Sequence, residues 1–262
     1  MTRRAAQGMV AALGACAVLA GGISQATAVE TPAASVVSND PAATPAAYAD
    51  YLQRSKEEGA DDALRDFKRL TPSEQQQFID YLHDPELLKT FLEKAGEQGG
   101  EPLTSSKEES HTTFLHNGDV SIEQERMTSF AAKAKKKPLP KGNHKVTYTT
   151  HLKLLGVKII KLSLWVNFHS NGKDITKVNY GDAGKKNLSG VISLSKGMVK
   201  TSRSSWGWCQ KGKPCSKGHN ADASVVWEGN IVFKGSTFQI DKEQWMRANV
   251  YGSLVSYHLR NV

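Results

Sequence analysis

Three cysteines in 262 residues are too few for a disulfide-dense scaffold, and Cys16 falls inside an N-terminal apolar segment. No apolar run reaches the ~20 residues that a membrane-spanning helix needs. A His-Glu-x-x-His zinc helix, a Gly-x-Ser-x-Gly elbow and a phosphate-cradling glycine loop are all missing. So are heptads and internal repeats of useful length. His144, His151, His169, His219 and His258 show no metal-ligand spacing, and pairing one of them with Glu228 as acid and base is a pattern any chain this long would offer. The reading is therefore of a chain without a catalytic site, metal or other cofactor. Acidic residues are scarce in one half only. Between Val29 and Phe130 there are 9 Lys and Arg against 20 Asp and Glu, a net of −11, whereas Ala131 to Val262 holds 23 against 6, a net of +17.

What is present begins with a basic start (Arg3, Arg4), an apolar small-residue core from about Gly8 to Ile23, and Ala26-Thr27-Ala28. This is the layout of a secretory signal peptide over residues 1–28, and it predicts a secreted, extracellular protein. Leu13-Gly14-Ala15-Cys16 gives a lesser alternative, lipid anchoring through Cys16. Cleavage after Ala28 leaves Cys209 and Cys215, and an even count in an oxidising compartment predicts a disulfide. Gly212 and Pro214 suit its tight reversal, and so small a ring contributes only ~2 kcal/mol. Zinc fits poorly, because five residues separate the cysteines and only His219 is close by.

Residues 29–46 are rich in Pro, Ala, Ser and Thr and read as flexible. Residues 47–95 read as an acidic helical segment. One amphipathic run carries Tyr48, Tyr51, Leu52, Ala60, Ala63, Leu64, Phe67 and Leu70. A second opens on the capping box Thr71-Pro72-Ser73-Glu74 and carries Phe78, Ile79, Tyr81 and Leu82, and a third starts at Asp84-Pro85-Glu86. Residues 96–143 read as a linker that contains a possible hairpin turning at His116-Asn117-Gly118-Asp119 and a lysine run broken by Pro138 and Pro140.

From residue 144 the period becomes two. Val146, Tyr148, Thr150, Leu152 and Leu154 share one face, and so do Ile160, Leu162, Leu164, Val166 and Phe168. Lys161, Ser163, Trp165, Asn167 and His169 share the opposite one, and Ser170-Asn171-Gly172-Lys173 marks a hairpin. DITKVNY, SGVISLS, ASVVWEGNIVFK and VYGSLVSYHL read as further strands, while Asp241-Lys242-Glu243-Gln244 reads as the cap of a helical turn carrying Trp245 and Met246. The fold class is α+β in several parts: a small helical N-terminal segment, then a basic all-β antiparallel sandwich over 144–262, with an open barrel as the alternative.

All five tryptophans lie in the basic half. Trp227 is in phase with Val225, Ile231 and Phe233, and reads as core. Trp165, Trp206 and Trp208, with Lys135, Lys136, Lys137, Lys211 and Lys213, are the candidate ligand-binding residues, since aromatics among lysines stack rings while the cations meet an anion. The expected partner is an anionic polymer or cell-surface component, nucleic acid included, and the acidic and basic halves are candidates to contact each other. Function reads as an exported non-catalytic binder whose basic β domain is screened by the acidic segment. One alternative is a secreted toxin or nuclease-like effector activated by an extracellular protease near the lysine run. Another is a protease inhibitor that presents the Cys209 to Cys215 loop. The signal peptide, the Ala-rich start and the two-part layout resemble secreted proteins of actinomycete bacteria, a resemblance of the first fifty residues that carries no functional residue.

Overall fold

The helices begin where side chains satisfy their open ends. In α1 (Pro45–Arg54) Thr44 accepts from the Ala47 amide and Pro45 takes the first helical position. In α2 (Ala60–Arg69) Asp61 and Asp62 open the helix and Lys68 and Arg69 close it, which complements the helix dipole. In α3 (Pro72–Leu82) the capping box forms as expected: Glu74 N donates to Thr71 Oγ1 at 3.3 Å, and Thr71 N donates to Glu74 Oε2 at 2.7 Å. Those bonds from Thr71 hold the Glu74 carboxyl below its usual pKa. The run expected from Tyr48 to Leu70 is two helices: Ser55 ends α1 in extended backbone, and Gly59, at a φ of +91°, opens α2. Helix also begins two residues before the expected start at 47. Asp84 caps the following helical residues 85–87 through the amides of Glu86 and Leu87.

The computed structural model describes residues 40–87, 90, 110–128, 137–205, 218–233 and 236–262. The expected signal peptide, Lys135, Lys136, Trp206, Trp208, Lys211, Lys213 and the expected Cys209 to Cys215 disulfide lie outside them. None of the described helices is long and apolar enough to cross a membrane.

Among the described residues ten strands form two antiparallel sheets, and these close no barrel. The first sheet runs β1 (Ser110–Leu115), β2 (Val120–Thr128), β3 (Gly142–Leu154), β4 (Val157–Ser170), β5 (Ile175–Asn187), in chain order. The second has the order β10 (Leu254–Asn261), β9 (Ser236–Ala248), β8 (Asn220–Phe233), β6 (Ile192–Lys196), and β7 (Lys200–Ser204) pairs with another stretch of β8. The hairpin at His116 to Asp119 forms, with Asn117 and Gly118 at positive φ. It is no part of a linker, however: β2 pairs with β3 from Val120 opposite Leu154 to Thr128 opposite Val146, and Val120 and Ile122 are buried. The sheet thus starts at Ser110 and not at 144.

Between the sheets lie Val146, Tyr148, Leu162, Leu164, Val166 and Phe168 from one side and Ala223, Val225, Trp227, Met246, Tyr257 and Leu259 from the other. Trp227 is 1% exposed and donates to Gln244 Oε1 at 3.0 Å, which confirms it as core. The helical turn expected at Asp241 does not exist. These residues are mid-strand in β9, with Lys242, Gln244 and Met246 buried and Glu243, Trp245 and Arg247 on the other face. Gly181 lets β7 cross close to β5, since a Cβ there would sit 2.6 Å from Thr201 Cγ2.

The helices and both sheets belong to one compact unit, Ser38–Val262. Tyr48, Phe67 and Phe78 form an aromatic knot with ring centroids 5.0 to 5.1 Å apart. Tyr48 donates to the Leu188 carbonyl at 2.7 Å, and Gln77 and Tyr81 donate to Asp119 at 2.9 and 2.7 Å. The helical layer therefore caps the sheet end where the β1 to β2 turn and the segment after β5 lie. Burial pushes the Tyr48 hydroxyl pKa up, so it remains a donor.

Candidate functional site

Residues paired across neighbouring strands share a face, so the registers of β3, β4 and β5 define the outer surface of the first sheet. Asn143 faces His169, which faces Lys177; Lys145 faces Asn167, which faces Tyr180; Thr147 faces Trp165, which faces Asp182. A β-bulge lies in β5 between the partners of Asn167 and Phe168. It turns Tyr180 outward next to Asn179, as bulges do where a side chain must be re-aimed. Tyr180 is 58% exposed.

Polar bonds tie this grid together sideways. Asn179 Nδ2 donates to Asn167 Oδ1 at 2.7 Å and to Asn143 Oδ1 at 3.2 Å, and His169 Nδ1 lies 3.0 Å from Asn143 Oδ1. Lys145 Nζ sits 4.4 Å from the centroid of the Trp165 ring, a cation–π contact. Lys196 donates to Asp182 at 2.8 Å. That hydrogen bond, helped by the Ala183 amide and the charge of Lys145, lowers the Asp182 pKa. At these three registers Lys145, Lys177 and Lys196 stand against the carboxylate of Asp182, and further along the same face Glu125 lies opposite Thr149 and Glu123 opposite His151.

At the helical end of this sheet a cavity of about 230 Å³ separates α2 from the strands. Glu58, Asp62 and Asp66 line one wall and Lys158, Lys161 and Lys186 the other, with Glu58 paired to Lys186. Beside it Glu123, Glu125 and His151 converge within 4.8 Å. They are the one group among the described residues with the spacing for a metal ion, yet Lys153 and Lys158 both contact Glu123. The two ammoniums cancel the negative charge a divalent cation requires. Burial lowers the His151 pKa, although Glu125 partly opposes this.

Of the residues expected to bind ligand, Trp165 lies on the outer face, half-buried beneath Lys145. Lys137 is exposed but precedes β3 and takes no place in the grid. Arg203 and His219, which flank positions 206–217, are fastened to the same corner: Arg203 donates to the Thr176 carbonyl at 2.7 Å, and His219 Nδ1 meets Asp174 Oδ2 at 2.7 Å. Burial of Asp174 works against its charge, but the bonds from His219 outweigh it and lower its pKa. Sequence reasoning missed Lys145, Asn143, Asn179 and Tyr180. Alternation did place Asn167 and His169 beside Trp165, and that was the available signal.

No family model, curated protein or solved structure matches this chain.

Proposed function

We propose that this is an exported, non-catalytic binding protein that holds an anionic polymer on the outer face of its first sheet. The observation that carries the reading is the grid of Lys145, Lys177, Trp165 and Tyr180, a cationic and aromatic surface whose nearest carboxylate, Asp182, is paired with Lys196. The signal-like residues 1–28 support export. The acidic segment screens one end of the same face, where Glu58, Asp62 and Asp66 stand across the cavity from Lys158, Lys161 and Lys186.

Screening by removal fits this architecture poorly. A cut at the lysine run would leave β2 paired along β3, and losing residues before it would bare Val146, Tyr148 and Leu152 at a new sheet edge. The helical segment is therefore a fixed electrostatic neighbour. The test is retention of the full mature chain on an immobilised anionic polymer across a salt gradient. Strong retention lost as salt rises supports the reading, and retention equal to that on a neutral matrix rejects it.

A further inference from the structure

The polymer-binding reading leaves the polymer's chemistry open, and the outer face narrows it. We infer that the polymer is an acidic polysaccharide. This rests on the anionic-polymer reading and adds to it the part of the ligand that is not charged.

The cations of the grid stand apart, and the space between them is filled by amides. Asn179 uses both hydrogens of Nδ2 on its two asparagine neighbours. Among the described residues this leaves the Nδ2 groups of Asn143 and Asn167 and the Oδ1 of Asn179 without a partner inside the network. Two donors and one acceptor on one flat surface match hydroxyl groups, each of which gives and takes a hydrogen bond. A polypeptide of acidic residues offers no such hydroxyls. Tyr180 stands next to these amides with its ring exposed, and a pyranose can lay its C–H face on an aromatic plane while its hydroxyls reach sideways.

Single-stranded nucleic acid also stacks on aromatics, but its affinity comes from an unbroken track of cations along the phosphates. Here the track is interrupted by three asparagines and by Asp182, whose side chain is 51% exposed. Asp182 holds Lys196 and the Ala183 amide through Oδ1, and its other oxygen can accept from a sugar hydroxyl, a bond that a phosphodiester cannot donate. Lys145 and Lys177, on opposite outer strands of the grid, then meet the acidic groups of successive sugars. The bulge at Asn179 is what makes the arrangement possible, because without it Tyr180 would face inward with Val178.

The experiment compares the full mature chain against polygalacturonate, dextran sulfate, poly-L-glutamate and poly(dT) at one salt concentration. The two polysaccharides are expected to bind at least ~10-fold tighter than the other two, the margin a single good aromatic contact gives. Tyr180→Ala should remove most of that margin, leave poly-L-glutamate binding unchanged and leave the unfolding midpoint unchanged. Lys145→Ala with Lys177→Ala should weaken every polymer. If poly-L-glutamate binds as well as the polysaccharides, or Tyr180→Ala weakens all four alike, the polysaccharide inference fails while the anionic-polymer reading stands. Tightest binding to poly(dT) overturns the inference in favour of nucleic acid. Binding to none overturns both.

Discussion

Both sheets turn an outer face to solvent, and each face centres on a tryptophan with a cation over its ring. On the second sheet Arg247 lies 5.1 Å from the centroid of the Trp245 ring, and His258 stacks on that ring at 5.2 Å and 16°. On the first sheet Lys145 lies over Trp165. The surroundings differ. Arg247 grips Asp222 with two bonds of 2.8 Å, and Arg260 grips Glu243 at 2.8 and 3.1 Å. Ion pairs thus flank Trp245 on this face. On the first face the grid around Trp165 pairs Asp182 with Lys196 and otherwise presents amides, an exposed tyrosine and lysines. The same strand geometry carries ion pairs around the tryptophan of one sheet and, around the tryptophan of the other, the amides and lysines of the proposed binding face.

The comparison breaks most visibly at Asp222. Its side chain is 9% exposed, so Arg247→Met strands a nearly buried carboxylate and should cost about 2 to 3 kcal/mol in urea unfolding while polymer affinity stays put. The reciprocal change is smaller. Lys145→Ala should reduce affinity for an anionic polymer by roughly 5- to 10-fold, with stability altered by no more than about 0.5 kcal/mol, measured by equilibrium binding and unfolding on the same samples. Either single change lowering both stability and affinity would mean that the two faces are not separable in role.

How far the difference could be read beforehand depends on phase. In β3 and β4 the inward sets were legible because, from Val146 to Leu154 and from Ile160 to Phe168, every inward position but Thr150 is large and apolar, and Asn171-Gly172 marked the turn, with Asn171 Oδ1 accepting from the amides of Lys173 and Asp174. β9 was not legible, because Lys242 and Gln244 occupy inward positions and disguise its alternation as a helix cap. β7 was missed since KTSRS has no apolar residue and is held only by its pairing with β8. Tyr180 was hidden for a sharper reason: a bulge of one residue inverts the phase, and alternation counted from Val178 gives the wrong face.

Two finer effects sharpen the contrast. Glu58→Gln removes a carboxylate that pairs with Lys186, and should raise affinity for anionic polymers by less than about threefold, read as a later elution in a salt gradient. On the second face burial lowers the His258 pKa, against the opposing pull of Glu243. A folded-state pKa below the unfolded value means that the unfolded chain binds more protons as pH falls, so this group's contribution is full above the unfolded value and is lost below it. Stability should therefore decline on acidification through the ordinary histidine range, and His258→Gln should blunt that decline without changing binding.

The most direct measurement of the central claim is an amide chemical-shift titration of the full mature chain with polygalacturonate. Shifts concentrated at residues 143–147, 165–169 and 177–182, with the amides of 243–247 and 256–260 unmoved, are the predicted result. Shifts centred on the second sheet, or spread evenly over both faces, would contradict it.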